Sequence, residues 1–309
     1  MIRFLLRRVG QSILVLFLSS LVVFGLFFVG PGPSQVARTF AGRLATPARL
    51  AQIKHDLQLD LPIYQQYLHW VGNLLQGNLG PSYKFVDRSV NDIVGGGLMV
   101  TIQLGLMAFA LSVLVGIPLG IFAALGHNRW PDYLSTGISV IGIAMPSFVL
   151  AILLILFFGV TLHILPTKGW KGPDTWILPT IALAGFPIAV IARYTRASML
   201  EVTRKDYIRT AQSKGVADGN VVTRHMIRNA LIPVVTILGP TLAFLVTGSF
   251  IIETIFAIPG VGRYYITSIS QHDYGVLMAM TILYAFAVAF LNLVVDVAYA
   301  YIDPRIRYS

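Results

Sequence analysis

Apolar and polar residues follow one another along this chain in long blocks. Six stretches, at about 9–29, 98–125, 134–162, 176–192, 230–252 and 274–295, contain no Lys, Arg, Asp or Glu. A hydrocarbon layer of about 30 Å needs roughly 20 mostly apolar residues in a helix. Helix is also the conformation that pairs every backbone polar group within its own segment. The pattern therefore predicts an all-α integral membrane protein with six transmembrane helices. The fourth block is short, and its helix is expected to continue past Arg193 toward Leu200 as it leaves the membrane.

Two connections are too long to be simple joins. The first covers 30–97, where Thr46-Pro47 reads as an N-cap followed by a first-turn proline. Leu50, Ile53 and Leu57 then recur at helical spacing, as do Ile63, Tyr67, Trp70, Val71 and Leu74. Two short helices in a small extracytoplasmic cap are expected, either a lid packed on the spans or a docking surface for a soluble partner. The second covers about 205–233 and reads as a short elbow. Met199, Val202, Tyr207, Thr210 and Ala211 mark an approximate apolar face, and Gly215 permits a sharp reversal. Asp218 is then the expected N-cap of a second helix carrying Val221, Val222, His225, Met226 and Asn229, and Pro233 comes as the chain re-enters the membrane. A helix, a glycine turn and a helix can transmit force to the spans on either side. The same periodicity also suits an amphipathic pair lying on anionic lipid.

Positive charge sets the orientation. With a cytoplasmic N-terminus, the inner segments carry Arg3, Arg7, Arg8 and Arg129. After the fourth block follow Arg193, Arg196, Arg204, Lys205, Arg209, Lys214, Arg224 and Arg228, with Arg305 and Arg307 at the end. The short outer connections carry only Lys168, Lys171 and Arg263. Both termini are thus expected in the cytoplasm. Arg3, Arg7 and Arg8 before an apolar run could open a signal peptide. That run exceeds the usual 7–15 residues or so, and Phe-Val-Gly-Pro-Gly offers no small-x-small cleavage site, so an uncleaved first span is expected.

Composition narrows the chemistry. Of 309 residues, 56% are hydrophobic and 12% charged, against about a quarter charged in soluble domains. The net charge of +10 clusters beside the spans, which accounts for it without a nucleic-acid ligand. The absence of cysteine excludes disulfides, thiolate metal sites and thiol nucleophiles. No Walker A run, His-Glu-x-x-His or Gly-x-Ser-x-Gly is present, so neither bound ATP nor a common hydrolase site is expected on this chain. Ion-coupled carriers usually bind their ion at charged residues at membrane depth. Here Glu253 lies at the outer end of the fifth block and Asp296 near the inner end of the sixth, both read as structural. Gly116, Pro118 and Gly120, then Gly137, Gly142 and Pro146, and Gly239, Pro240 and Gly248 further on, suit close packing and local bends.

The elbow resembles the cytoplasmic Glu-Ala-Ala loop of ABC-importer permeases, in the form used by the dipeptide, oligopeptide and nickel branch. The matching residues are Asp206, Tyr207, Ile208, Arg209, Thr210, Ala211, Lys214 and Gly215, then Arg224, His225, Arg228, Asn229 and Ala230 through Pro233. Arg209-Thr210 stands where the general motif has Glu-Ala. Further pieces in the same order are Leu6-Arg7-Arg8, Gly77-Asn78-Leu79-Gly80-Pro81-Ser82, Pro146-Ser147-Phe148, Ile252-Glu253-Thr254-Ile255-Phe256, Ile258-Pro259-Gly260-Val261-Gly262, His272-Asp273-Tyr274 and Asp303-Pro304-Arg305. Gly80 to Lys84 with Ser89-Val90-Asn91-Asp92 is most similar to the B-type membrane subunits of oligopeptide permeases.

The resemblance implies a type I ABC importer permease fold in the bacterial plasma membrane, arranged as a tail and first helix (1–30), an extracytoplasmic segment (31–97), a five-helix core (98–302) holding the coupling segment 203–233, and a cytoplasmic tail (303–309). It implies a non-catalytic translocation subunit for oligopeptides, with dipeptides, glutathione or nickel chelates as alternative cargoes. The implied partners are a related C-type permease, two ABC ATPase subunits that hold ATP and Mg, an extracytoplasmic peptide-binding protein and membrane lipid. The implied ATPase-coupling residues are Asp206, Tyr207, Arg209, Thr210, Ala211, Lys214, Gly215, Arg224, His225, Asn229 and Pro233. An autonomous ion-coupled carrier is the remote alternative.

Overall fold

A computed structural model describes residues 2–29, 32–42, 45–82, 84 and 88–302. The helices are α1 Ile2–Phe24, α2 Pro33–Ala41, α3 Pro47–Asp56, α4 Ile63–Leu75, α5 Val90–Leu125, α6 Trp130–Ala144 and α7 Ser147–Leu154. They continue with α8 Pro173–Thr203, α9 Asp206–Ser213, α10 Asp218–Asn220, α11 Arg228–Val246, α12 Phe250–Ile255, α13 Val261–Gln271 and α14 Tyr274–Ile302. π-Helical stretches at Gly25–Val29, Ile155–Thr161 and Val221–Ile227 extend three of them. Among the described residues, five helical runs are long and apolar enough to cross a bilayer, and α6 with the α7 run makes a sixth if the pair, bent by 107°, is one span. The predicted tail at 303–309, the Asp303-Pro304-Arg305 motif and the Asp296 side chain lie outside the described residues.

One compact unit comprises Met1–Val100 with Pro259–Ser309. Thr46 caps α3 as the sequence predicts, its side chain accepting from the Arg49 amide at 3.3 Å. Among its described residues the segment after the first span holds three helices, one more than the spacing predicts. Too few apolar positions recur in α2 for its period to stand out, yet Val36 and Ala37 are fully buried beside Ile53 and Leu59. The segment packs on the spans. Tyr67 and Trp70 of α4 lie against Val23, Phe24 and Met278, with the Phe24 and Tyr67 rings edge-on at 5.4 Å. Two sequence motifs meet here. Asp273, fully buried, caps α14 through the Val276 amide at 3.3 Å and accepts the Ser82 hydroxyl at 2.5 Å.

The second unit, Thr101–Ile258, is built around α8. This helix runs 31 residues, about 46 Å at 1.5 Å per residue, and so carries the fourth span beyond the hydrocarbon as expected. Small residues set how closely its neighbours approach. A Cβ on Gly120 of α5 would lie 2.5 Å from the Ala192 carbonyl oxygen and 3.0 Å from the Arg196 nitrogen. On Gly105 it would run into the Leu245–Val246 backbone of α11. The Ser198 hydroxyl ties α8 to α11 by donating to the Ala230 carbonyl at 2.8 Å.

Three positions marked in the sequence stand out in this unit. The third apolar block is not one straight helix, because Pro146 has no N–H to donate and forces the preceding residue out of the helical region. Met145 accordingly sits at φ −84°, ψ 117°. Pro233 lies inside α11, so the helix is continuous through it. Glu253, at the outer end of the fifth block, is fully buried and accepts the Thr101 hydroxyl at 3.0 Å, in keeping with a structural role. It stands after a break in the fifth run that Gly248, at φ +95°, makes between α11 and α12.

Candidate coupling site

The site is the elbow between α8 and α11. Arg204 caps the end of α8, and α9 starts with Lys205 extended at its N-cap (φ −76°, ψ 144°). Its C-terminus closes as a Schellman motif. Gly215, at φ +75°, donates to the Gln212 carbonyl at 2.9 Å, and Val216 donates to Ala211 at 3.2 Å. A Cβ on Gly215 would meet nothing within 4 Å, so its backbone angle alone calls for glycine. The second helix begins with Ala217 as N-cap and Asp218 as its first residue, one position earlier than the sequence predicts.

Burial divides the elbow into two faces. Met199, Val202, Ile208, Ala211, Val221, Met226 and Ala230 form one apolar cluster with Ala124 of α5. Burying side chains of this size contributes about 1–3 kcal/mol each, and here it ties both arms to the spans. Against the predicted periodicity, Tyr207 and Thr210 are exposed and Ile208 takes the inward place. Ala211 therefore belongs to the elbow's core, not to a contact surface. Asp206, Tyr207, Arg209, Thr210, Lys214, Gly215, Arg224, Asn229 and Pro233 are exposed, and His225 is half-buried.

Local bonds hold several of these. The Thr210 hydroxyl donates to the Asp206 carbonyl at 3.0 Å, and the Asn229 amide to the His225 carbonyl at 2.7 Å. The Lys205 ammonium lies 2.9 Å from the Glu201 carboxylate, which raises its pKa above the ordinary value. Both groups are exposed, so water screens the pair and leaves it little effect on stability. Segment 205–233 carries five basic and two acidic residues, a surface suited to an acidic or hydrogen-bonding partner. Among the described residues no group of His, Cys, Asp or Glu is arranged to hold a metal ion.

Two features escaped the sequence reading. Residues 221–227 are π-helical, and α10, this stretch and α11 follow one another without a break. The elbow's second arm is thus the start of the fifth span. Beside the elbow, Asp132 of α6, almost fully buried, binds Arg196 of α8 through both carboxylate oxygens, with Nη2–Oδ2 at 2.9 Å. His127 Nδ1 at 3.1 Å and the Asn128 amide at 3.0 Å complete its shell. One signal could have revealed it: Asp132 is the single carboxylate between Asp92 and Asp174.

A helical membrane protein with a two-faced elbow between two spans can be compared with known proteins. Residues 116–308 match the family described as binding-protein-dependent transport system inner membrane component, and residues 1–88 match its N-terminal counterpart. The chain belongs to that family. It is therefore a multi-pass inner-membrane permease component.

The permease is 40% identical over 307 residues to the dipeptide transport system permease protein DppB of Bacillus subtilis (strain 168), covering 99% of this chain and 98% of that one. It is 38% identical to the oligopeptide transport system permease protein OppB of Haemophilus influenzae (strain ATCC 51907 / DSM 11121 / KW20 / Rd) and 40% to that of Escherichia coli (strain K12), in both cases over the full length of both chains. Among solved structures it is similar to an inward-facing MetNI methionine ABC transporter, with TM-score 0.57 and 18% identity, over 68% of this chain and 96% of that one. An amino acid ABC transporter solved with histidines gives 0.54 and 16%, over 67% and 92%. The permease thus has the type I ABC importer fold.

Proposed function

We propose that this permease is the translocation-pathway subunit of an ATP-driven importer of oligopeptides, and that its elbow is the seat of the ATPase subunits. The observation that carries the reading is the two-faced elbow. One face is sealed by Ile208, Ala211, Val221 and Met226 onto the spans, and the other offers Asp206, Tyr207, Arg209, Thr210, Lys214 and Arg224 to the cytoplasm. A partner that grips this second face displaces α8 and α11 together, because the Ser198–Ala230 hydrogen bond and the buried cluster join them. ATPases that bind one permease shape more tightly than another shift the population between the two. ATP and Mg, held on those partners, supply the free energy through hydrolysis. This chain supplies the passage and the lever, Gly215 setting the elbow's angle and Ala211 its packing.

A related C-type permease completes the pathway, and a peptide-binding protein delivers cargo from outside. Oligopeptide cargo rests on the OppB relatives. The DppB relative at equal identity supports a second reading, dipeptides.

The absence of cysteine makes the seat directly testable. Single cysteines at Arg209, Thr210 and Arg224 should cross-link to an ATPase subunit in the assembled transporter, with yields that change on adding nucleotide. Peptide uptake into vesicles should require ATP. No cross-link from any of the three, or uptake by this chain alone under an ion gradient, would refute the assignment.

A further inference from the structure

Between α6 and α8 lies an open cavity of about 310 Å³ that the coupling reading does not use, with Thr136, Val140, Ile143 and Arg193 exposed along it. Arg193 and Arg196 line it from α8, and Ser135, Thr136 and Ser139 from α6. Arg196 is held by Asp132 through Nε and Nη2, which matches its charge and leaves its other N–H groups on offer. Arg193 has neither a hydrogen bond nor an ion pair among the described residues, and the hydroxyls of Thr136 and Ser139 make no hydrogen bond there. With Asp132 set against Arg196, one positive charge remains.

Depth makes this arrangement informative. Arg193 stands ten residues before the end of α8 at Thr203, about 15 Å along the axis. Trp130 and Tyr133, in the first turn of α6, expose their rings, as aromatic residues do at the headgroup level. The cavity starts about one turn further in, at Ser135. A guanidinium at that depth is costly without an oxyanion or water to meet it. The outer wall is apolar, with Val140 and Ile143 lining the cavity and Leu134 and Ile138 exposed beside it. Donors below an apolar rim match a phosphate whose acyl chains lie along a helix.

We propose that this cavity binds the phosphate of an anionic phospholipid from the cytoplasmic leaflet. Arg193 supplies the charge, and Thr136, Ser139 and the free edge of Arg196 supply further hydrogen bonds. The lipid then cements α6 to α8 next to the coupling elbow. None of this depends on what the pathway carries.

The test uses the full-length chain, delipidated in detergent and titrated with phosphatidylglycerol or phosphatidylcholine of matched acyl chains, with retention read by native mass spectrometry. Phosphatidylglycerol should be retained and phosphatidylcholine lost. Arg193→Gln should weaken retention about tenfold, as expected for loss of a charge-assisted hydrogen bond, while Arg193→Lys keeps most of it. Arg129→Gln, a nearby basic residue outside the cavity, should change nothing. If Arg193→Gln fails to fold, the double variant Thr136→Val, Ser139→Ala should still lower retention several-fold. Equal retention of both lipids, or unchanged retention in either variant, would overturn the proposal. So would displacement of the lipid by a short peptide that has a free C-terminal carboxylate but not by its amide, which would assign the cavity to cargo.

Discussion

Gly215 gives the sharpest test of the elbow as a rigid device. Its φ of +75° lies in the left-handed region, while the space that a side chain would enter is empty. Substitution therefore acts through the backbone and not through a clash. An alanine there costs about 1–2 kcal/mol, a valine more because its branched Cβ crowds the backbone further, and an asparagine least because Asn visits this region readily. The strain falls on the two bonds that close the turn, Gly215 to Gln212 and Val216 to Ala211. If it is relieved by opening them, 1–2 kcal/mol raises the local opening constant about 5- to 30-fold. Hydrogen exchange on a peptide spanning 205–217, in the assembled transporter in nanodiscs, reads that constant. Peptide-stimulated ATP hydrolysis read in parallel should fall in the order Gly, Asn, Ala, Val. Were Asn as damaging as Val, the cause would be contact with a partner and not backbone angle. Were exchange unchanged for both Ala and Val, the backbone angle would not constrain the turn.

Other substitutions probe the remaining parts. Asp132→Asn should lower thermal stability by about 3 kcal/mol by stranding Arg196 beside a lost charge, and pairing it with Arg196→Leu should recover much of the loss, as read by a thermal-shift assay in detergent. Gly120→Ala should cost about 1–3 kcal/mol, since its Cβ meets backbone of α8 that cannot rotate away, whereas Gly137→Ala, with nothing within 4 Å, should leave the melting temperature unchanged. Ala211→Leu should reduce both stability and coupling by overpacking the elbow, whereas Thr210→Leu, on the exposed face, should reduce cross-linking to the ATPase without moving the melting temperature. Asp273→Ala should speed proteolysis near residues 82–89, because it removes the carboxylate that holds Ser82.

Span number and the elbow's position were readable because both rest on long runs of one character. The apolar blocks need only length, and Gly215 announces a left-handed turn wherever a helix must stop. Which residue of the elbow faces inward was not readable: Ile208 and Tyr207 are adjacent and both apolar enough, and the α8 core decides between them. The break at Met145–Pro146 was present as a proline, but a proline inside a helix such as Pro187 or Pro240 leaves the helix continuous, so sequence alone does not rank them. The Asp132–Arg196 pair joins residues 64 apart, and the Ser82–Asp273 pair joins residues 191 apart. No local period carries such pairings.

The wide turns at Val221–Ile227 have a consequence for chain length. Surface connections usually accept insertions and deletions because nothing downstream depends on their residue count. Here the polypeptide passes from solvent into the bilayer as one helix, and each residue added or removed turns everything after it by about 100°. Losing one residue from this stretch would swing Val234, Ala243 and Leu245 out of the interior and put lipid-facing neighbours in their place. A segment next to the bilayer is thereby as fixed in length as the core it leads into.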